Sequence, residues 1–393
     1  MLRQTDVLIV GGGVIGSAVA YFLAASAEFG GRVVVIEAEP GYRECSTARS
    51  VGGIRQQFST PENIEMSRFG AAFVKGAAQA LGIDGEAPAL AFTEAGYLFL
   101  ASGEAGLGVM QANHATQRAH GASVALLAPA DLAARFPWLA TADLAAGSLG
   151  LADEGWLDPY ALLQGFRRKA RSLGAQYLHD RVVDLATDGR RVTGARLERS
   201  GAIAAGVVVN AAGTRAREVA AMAGVELPVF PRKRQVFVFA CREQLADCPL
   251  VIDPSGMYFR PESGNYICGI SPEAGADPDC RDFDIDYEIF EDRLWPLLAA
   301  RVPAFEAIKL VNAWAGHYAY NTLDQNAILG PHPEVEGLLF ANGFSGHGLQ
   351  QSPAVGRALA ELVVHGEYRT LDLTRFGCAR LLENTPLREL NVV

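Results

Sequence analysis

The chain has 393 residues, 50% hydrophobic and 20% charged, an ordinary balance for a globular protein long enough for two domains. The net charge of −10 argues against an extended nucleic-acid interface, and the six cysteines form no C-x-x-C pair, which argues against a zinc ribbon and predicts no metal site. No apolar run approaches the roughly 18–20 residues of a membrane span, and the scattered thiols and the absence of a signal peptide predict a cytoplasmic protein.

The first forty residues read as strand, glycine turn, helix, strand and acid. Residues 6–10 are a short apolar strand, residues 11–16 fit G-x-G-x-x-G, and residues 17–25 are a helix rich in Ala and Leu. Residues 32–37 are a second buried strand that ends in Glu37, 21 residues past Gly16. This order is typical of a dinucleotide site whose acid binds a ribose, and it does not separate NAD from FAD.

Each glycine of the turn has its own function in such a site. Gly11 permits the tight turn, Gly13 lets the backbone approach a pyrophosphate, and Gly16 lets helix and strand pack closely. The helix N-terminus at Val14 and Ile15 offers N–H groups and a positive dipole end to the phosphates.

The polar stretch at residues 40–55 reads as a loop along the cofactor rather than as a linker. Its candidates for contacts to phosphate or ring edges are Ser46, Thr47, Arg49 and Ser50. The alternative is a solvated loop with incidental arginines.

Helices and strands then alternate, and the periodicity changes after residue 230. The predicted helices are residues 61–81, 112–120, 129–136, 160–173, 216–223, 287–301 and 353–364. The predicted strands of the first part are residues 92–100, 147–151, 175–178, 181–185 and 206–213. The later ones, at residues 234–240, 257–261, 266–270 and 311–320, predict an antiparallel sheet. The basic cluster at residues 232–234 stays open as a small-anion site.

These patterns resemble the glycine/D-amino-acid oxidase (DAO) family of FAD enzymes. The resemblance covers most of the chain and is most specific at residues 343–348, Gly-Phe-Ser-Gly-His-Gly. It also rests on the N-terminal glycine motif with Glu37 and on residues 46–55, 156–159 and 208–213. Residues 320–326 and 348–351 look closest to a branch that includes a mitochondrial FAD-dependent oxidoreductase.

The resemblance implies an α/β fold with a Rossmann-like FAD-binding domain and a second α+β substrate domain built on an antiparallel sheet. The FAD-binding domain is expected at residues 1–85, 151–225 and 325–375, the substrate domain at 86–150 and 226–324, and a C-terminal tail at 376–393.

The second glycine turn favours FAD over NAD. Reduced flavin carries negative charge around N1 and C2=O, which a helix N-terminus would stabilise, whereas an NAD dehydrogenase does not need such a turn. The alternative is a structural glycine loop. Further cofactor contacts are expected at Val183, Ala212, Gly213, Gly346, His347, Gly348, Leu349 and Gln350.

The resemblance implies oxidation of the C–N bond of an amino acid or secondary amine of N-substituted glycine or D-amino-acid type. Hydride transfer to flavin N5 is followed by imine hydrolysis, so the expected partner is a small-molecule amine, with the electron acceptor open. The alternatives are an FAD-dependent 2-hydroxy acid dehydrogenase and a non-catalytic flavoprotein assembly factor.

Two arginines match carboxylate-binding positions in the family. Arg55 matches the arginine of sarcosine oxidase-like members, and Arg234 that of D-arginine dehydrogenase-like members; a planar guanidinium suits the task. Tyr258, and His317 and Tyr318 on a strand whose alternation puts them on opposite faces, are further candidates, as is His347. The alternatives are surface or helix-end arginines and tyrosines that pack in the core.

The chain departs from the family pattern in three places. Gln350 replaces a carboxylate-binding lysine, and residues 266–269 lack the lysine that promotes reaction with oxygen. No histidine stands at residues 48–49, where some members attach flavin covalently. FAD is therefore expected to bind non-covalently, although His317 falls near another position of attachment.

Overall fold

The computed structural model describes residues 3–273 and 275–390, which form two eight-stranded sheets and flanking helices. The strands are β1 (Gln4–Val10), β2 (Val33–Glu37), β3 (Gly53–Ile54), β4 (Tyr97–Ala101), β5 (Val124–Leu127), β6 (Ala146–Gly150), β7 (Gly155–Trp156), β8 (Gln176–His179), β9 (Val182–Asp188), β10 (Arg191–Leu197), β11 (Gly201–Asn210), β12 (Val229–Cys241), β13 (Leu250–Ile252), β14 (Met257–Glu262), β15 (Asn265–Ile270), β16 (Ile308–Asn321), β17 (Ile328–Pro331) and β18 (Leu338–Asn342). The helices are α1 (Val14–Ala25), α2 (Pro61–Lys75), α3 (Ala77–Leu81), α4 (Gly103–Ala119), α5 (Pro129–Arg135), α6 (Pro159–Ser172), α7 (Ala216–Ala221), α8 (Trp295–Arg301), α9 (Gly348–His365) and α10 (Ala379–Leu382).

The first sheet has the order β17-β18-β11-β1-β2-β8, with β10 and β9 joined to β11. The pairs from β18 to β8 are parallel, and their strands are nearly continuous apolar runs because helices cover both faces. Helix α1 follows β1 and α9 follows β18, so both helices begin at the carboxyl edge of parallel strands. The two helices lie in close contact, since a Cβ on Gly356 of α9 would stand 2.7–2.9 Å from atoms of Ala18 in α1.

The second sheet has the order β16-β12-β15-β14-β13-β4-β6-β5. Its pairs are antiparallel apart from β13 with β4, and an aromatic core that includes Phe237, Phe259 and Phe305 covers one face. The loop before β3 covers the outer edge of β16: Arg49 Nη1 donates to the Ala315 carbonyl at 2.8 Å. This contact joins the nucleotide-side loop to the second sheet.

The predicted fold class is confirmed, with a Rossmann-like sheet and a second, largely antiparallel sheet. The strands of the two sheets come from the segments assigned to the two domains. The division into domains and its boundaries stay a prediction. The C-terminal stretch also contains α10 and packs against the rest of the chain.

The helix predicted at residues 353–364 starts earlier, at Gly348. Proline is favoured at the first position of a helix, so the pattern predicts a start at Pro353, yet Pro353 lies inside α9. Proline lacks the N–H that would reach the carbonyl of Leu349, and the Ser352 hydroxyl donates to that carbonyl instead, at 2.8 Å. The helix therefore begins directly at the second glycine turn.

Other boundaries also differ from the sequence prediction. The helix at 61–81 is broken at Gly76, and α4 begins nine residues before position 112 because tertiary packing overrides the weak helix propensity of three glycines. The strand predicted from residue 92 starts at Tyr97, β13 was missed, and residues 289–294 form a π-helical turn before α8. No helix in the described part of the chain is long and apolar enough to cross a membrane.

A buried ion pair holds the C-terminal stretch in place. Arg380 Nε donates to Asp324 Oδ2 at 2.8 Å, and the side chains are only 6% and 0% exposed. Arg380 Nη2 also donates to the carbonyl of Ala327 at 2.8 Å, and Asn321 donates to Asp324 Oδ1 at 2.8 Å.

We predict that Arg380→Met lowers the free energy of unfolding by about 3–5 kcal/mol, because it leaves the Asp324 carboxylate buried without its cation. Urea unfolding measures this loss. The matched control is Arg191→Met, whose pair with Glu336 is exposed at both side chains, 55% and 74%, and should contribute about 0–1 kcal/mol. Equal losses in the two variants would contradict the prediction.

Candidate functional site

Two glycines of the first turn are required by the packing of the protein itself. Gly11 has φ +101°, and a Cβ there would overlap the carbonyl of Ala211 at the end of β11. A Cβ on Gly16 would overlap the carbonyl of Gly11. The turn therefore packs directly against the end of β11 at Gly11, and the first turn of α1 packs against the Gly11 carbonyl at Gly16.

Gly13 is different, because neither its backbone nor its neighbours require glycine. Its φ is −62° and ψ −173°, which any residue adopts. A Cβ would meet Cys45 Sγ at 3.4 Å and Thr47 Oγ1 at 3.7 Å, which are ordinary contacts. A glycine here keeps the space in front of the α1 N-terminus open, so the turn fits a pyrophosphate approaching the helix.

The acid and the loop hydroxyls lie beside this turn. Glu37 Oε2 accepts from the N–H of Gly12 at 2.7 Å, and burial raises the pKa of the Glu37 carboxyl. Thr47 Oγ1 accepts from the N–H of Val14 at 3.3 Å, whereas Ser46 is exposed and Ser50 accepts from its own loop.

The Arg49 side chain contacts its own loop and the second sheet. Its Nε donates to the carbonyl of Arg43 at 2.6 Å, and its guanidinium lies 4.1 Å from the ring centroid of Phe283. Together with its bond to β16, these contacts fix the loop between the two sheets. Its predicted contact to the cofactor stays a prediction.

Two further cofactor candidates occupy irregular backbone. Val183 is the extra residue of a β-bulge in β9, where Leu197 pairs with Val182 and Arg196 pairs with Asp184. Its backbone groups therefore lie outside the ladder. Gly213 follows Ala212 after β11 and has φ +55°.

The second glycine turn is tied to the end of β16. Gly343, Ser345 and Gly346 have φ values of +68°, +49° and +99°, and Ser345 Oγ accepts from the N–H of Asn321 at 2.9 Å. The Tyr318 ring covers Gly346, where a Cβ would stand 2.6 Å from ring atoms. His347 is the N-cap residue of α9, so the start of this helix faces the second sheet.

Arg55 is buried beside this turn, with 4% exposure. Its backbone N–H donates to Gln350 Oε1 at 2.7 Å, and its Nη2 lies 3.3 Å from His347 Nε2. Burial and the charge of Arg55 lower the pKa of His347 to about 3. Because guanidinium only donates, the neutral His347 must accept at Nε2 and carry its proton on Nδ1.

Aromatic rings surround Arg55. Its guanidinium lies 4.0 Å from the Phe58 ring centroid and 5.3 Å from that of Phe99. Burial raises the pKa of Tyr97 and of Tyr258, and Tyr318 lies close enough to add to the effect on both. The phenols are therefore protonated at neutral pH.

The structure brings Arg55, Tyr258, Tyr318 and His347 together and adds residues that the sequence analysis did not predict. Tyr97 is one, and Arg260 is another: it donates to Glu262 and to the Val51 carbonyl, and lies over the Trp156 ring at 4.8 Å. Tyr97 and Arg260 belong to no motif in the sequence, so they could be assigned to the site only from the three-dimensional structure.

Arg234 already holds a carboxylate. Its Nη1 and Nη2 donate to the two oxygens of Asp277, each at 2.8 Å, and its guanidinium lies 5.0 Å from the Tyr318 ring centroid. Arg232 and Lys233 are likewise paired with Asp279 and Asp282, each at 2.7 Å. Aspartates of this chain thus neutralise the basic cluster.

His317 lies outside the Arg55 cluster. It pairs in register with Lys233, whereas Tyr318 pairs with Arg232, so the two side chains point to opposite faces of the sheet as the alternation predicted. His317 Nε2 lies 2.8 Å from the carbonyl of Asp282, and burial lowers its pKa.

Glu154 is a buried acid that sequence reasoning missed. It is 1% exposed; Oε1 accepts from the N–H of Gln56 at 2.6 Å and Oε2 from the Gln57 amide at 2.8 Å. Burial raises the pKa of the Glu154 carboxyl to about 7. Its only sequence signal is its place directly before the Gly-Trp-Leu-Asp-Pro run.

A parallel sheet with a dinucleotide turn, joined to a second sheet by a buried arginine and aromatic rings, defines a nucleotide-dependent oxidoreductase of two-sheet architecture. Residues 6–362 match the DAO family, FAD dependent oxidoreductase. The chain belongs to this family, and its cofactor is FAD.

Similar proteins and solved structures match this chain over nearly its whole length. FAD-dependent oxidoreductase domain-containing protein 1 of Xenopus laevis is 46% identical over 426 residues, covering 100% of this chain and 85% of that protein. L-proline dehydrogenase from P. horikoshii has a TM-score of 0.87 at 28% identity, covering 99% of this chain and 100% of the other. Glycine oxidase from Geobacillus kaustophilus has a TM-score of 0.81 at 25% identity, covering 95% and 98%.

We predict that Gly13→Val abolishes or strongly reduces FAD binding while leaving the fold intact, because its side chain enters the space kept for the pyrophosphate. The flavin absorbance of the purified variant measures occupancy. Gly30→Val is the control, since a Cβ there meets no described atom within 4 Å. Full yellow occupancy of Gly13→Val would contradict the assignment.

We predict that Glu154 makes the wild-type protein less stable as pH rises from about 4.5 to 7. The folded carboxyl keeps its proton up to about pH 7, whereas the unfolded carboxyl loses it near 4.5. At about 1.4 kcal/mol per pKa unit, the effect is on the order of 3 kcal/mol. Glu154→Gln should remove this pH dependence. The free energy of unfolding of the variant, relative to that of the wild type, should therefore rise between pH 5 and 8.

Urea unfolding at the two pH values measures this difference, and exposed Glu198→Gln serves as the control. A wild-type protein and a Glu154→Gln variant with the same pH dependence would refute the assignment of the buried acid.

Proposed function

We propose that the protein oxidises the C–N bond of an amino acid or secondary amine, of N-substituted glycine or D-amino-acid type, whose carboxylate binds Arg55. The observation that carries the proposal is the burial of the Arg55 guanidinium at the second glycine turn, against His347 and the aromatic rings. A buried guanidinium at the start of α9 suits a carboxylate, because its planar N–H fork matches the two oxygens.

The residues around Arg55 position its side chain. Gln350 and His347 are neutral, so the positive charge proposed to bind the substrate is that of Arg55. Gln350 stands where relatives have a carboxylate-binding lysine, and it accepts from the Arg55 N–H. His347 is neutral and accepts, so it adds no second positive charge. A single cation fits a substrate with one carboxylate.

FAD supplies the hydride acceptor when it is bound. We place its pyrophosphate at the α1 N-terminus, its ribose at Glu37 and its ring at the α9 N-terminus, where the turn amides would stabilise negative charge. The residues proposed to hold it, without a covalent bond, are Gly11, Gly13, Val14, Ile15, Gly16, Glu37, Ser46, Thr47, Arg49, Ser50, Val183, Ala212, Gly213, Gly346, His347, Gly348, Leu349 and Gln350.

The tyrosines supply shape rather than a base. With their pKa values raised, Tyr97 and Tyr258 stay protonated, and with Tyr318 they form a wall that would exclude water from the substrate. An amine that binds unprotonated requires no side-chain base, so orientation by Arg55 is the main contribution of the protein. Contacts of Arg234 and His317 with the substrate stay predictions. Arg234 would first have to release the Asp277 carboxylate before it could bind the carboxylate of a substrate.

Two structural relatives named above support an amino acid or secondary amine as substrate, since their names specify L-proline and glycine, but they do not support the D configuration. Both are amino acids, in which a carboxylate stands one carbon from the amine. That spacing suits a site with a carboxylate-binding arginine beside the cofactor.

We predict that Arg55→Ala raises the apparent KM for the true substrate by roughly 10–100-fold, because a charge-assisted hydrogen bond contributes about 1.5–3 kcal/mol. Anaerobic bleaching of the flavin by N-alkyl glycines, D-amino acids and 2-hydroxy acids identifies the substrate, and steady-state turnover with an artificial electron acceptor gives its KM. Arg191→Ala, from an exposed pair with Glu336, is the control.

An unchanged KM and turnover in Arg55→Ala would refute the role of Arg55. Bleaching by 2-hydroxy acids alone would favour the hydroxy acid dehydrogenase. A yellow protein that no compound reduces would favour the assembly factor.

A further inference from the structure

The start of α2 is capped by a carboxylate from the far end of the chain. Thr60 is the N-cap residue, but its side chain makes no capping bond within the described residues. Glu389 Oε1 accepts from the N–H and hydroxyl of Ser59, both at 2.6 Å, and Oε2 accepts from Thr60 N at 3.0 Å and Asn63 Nδ2 at 3.1 Å. The carboxylate thus pairs N–H groups at the helix start and interacts favourably with the helix dipole.

The segment that carries Glu389 is held at several points. The N–H of Leu390 donates to Ser59 Oγ at 2.8 Å, and the N–H of Leu387 donates to Asp324 Oδ2 at 2.9 Å. Asn326 Nδ2 donates to the Leu387 carbonyl at 2.5 Å. Glu389 is 7% exposed, so the carboxylate reaches α2 as part of a docked segment rather than as a loose side chain.

The capped residues continue directly into Arg55. The Phe58 ring lies 4.0 Å from the Arg55 guanidinium, and the Gln57 carbonyl accepts from Arg55 Nη1 at 2.5 Å. Ser59 follows Phe58, so the bonds from Glu389 fix the end of the stretch on which the guanidinium rests. Glu154 holds the same stretch from the other side, through Gln57.

Glu389 affects Arg55 through its negative charge as well as through its hydrogen bonds to Ser59 and Thr60. Burial lowers the pKa of Arg55, and the negative charge of Glu389 is the strongest influence in the opposite direction. The carboxylate therefore stabilises the charged guanidinium in its buried position.

We infer that Glu389 is a positioning residue of the substrate site, which holds residues 55–60 so that the Arg55 guanidinium is fixed for a carboxylate. The inference rests on the proposed function of Arg55. It assigns residues 385–390, far from Arg55 in sequence, to the substrate site.

The test compares Glu389→Gln with Glu383→Gln, an exposed acid of the same stretch, in the FAD-loaded protein. Glutamine keeps the shape but not the charge, so hydrogen–deuterium exchange at Ser59 and Thr60 should be at least about tenfold faster in Glu389→Gln. The Kd of benzoate, read from its effect on flavin absorbance, should rise about tenfold with unchanged FAD content and little change in kcat. Glu383→Gln should match the wild type in both measurements.

Unchanged exchange at Ser59 and Thr60, or faster exchange there with unchanged benzoate affinity, would overturn the inference. If Glu389→Gln fails to fold, Ser59→Ala removes only the two hydroxyl contacts, to Glu389 and to the N–H of Leu390, and should produce a smaller change in the same direction. No change would equally overturn the inference. If benzoate leaves the wild-type spectrum unchanged and Arg55→Ala has normal kinetics, the proposed function fails. The exchange measurement then still decides whether Glu389 holds the stretch.

Discussion

The close contact between α1 and α9 is the constraint on which the rest of the structure depends. These helices come from opposite ends of the chain, and they approach so closely only because Gly356 carries no side chain against Ala18. Each follows a strand of the same parallel sheet, so their N-termini lie at the same edge. One start suits a pyrophosphate, and the other faces the second sheet, where a ring would lie against the substrate residues.

Hydrogen bonds tie the second sheet and the loop around β3 to that edge. Arg49 bonds to the edge of β16, Ser345 bonds to its end, and Arg55 bonds to Gln350 of α9. Each contact is a hydrogen bond between a side chain and the backbone of another element, which fixes position without burying an unpaired polar group. Arg55, the proposed substrate arginine, is therefore held by the loop that also bonds to the second sheet.

The sequence predicted the parts of this arrangement that local patterns encode. The glycine turns and the two sheets follow from spacing and periodicity within short stretches, and so does the opposition of His317 and Tyr318 along one strand. The family followed from the resemblance of several motifs, above all residues 343–348. The buried acids could not be predicted in this way. Glu154 and Glu389 look like surface residues in polar loops, and their burial depends on partners about 100 and 330 residues away.

The boundary of α9 shows a different limit. Proline is more often the first residue of a helix than an interior one, so the pattern placed the start five residues late. The hydroxyl of Ser352 provides the missing bond, which is a compensation specific to this helix. The sequence left the basic cluster at residues 232–234 open as a small-anion site, because its aspartate partners lie more than 40 residues further along the chain.

The pairing of the other arginines narrows what the site accepts. Arg234 is bound at both terminal nitrogens by Asp277, and Arg260 is paired with Glu262 and the loop before β3. A substrate with a second carboxylate would have to displace one of these partners, and both pairs are only partly exposed to solvent. Since His347 is neutral and the neighbouring phenols are protonated, a second negative charge would also enter a site with little polar compensation. If Arg55 binds the substrate carboxylate as we propose, this arrangement would favour a monocarboxylate over a dicarboxylate.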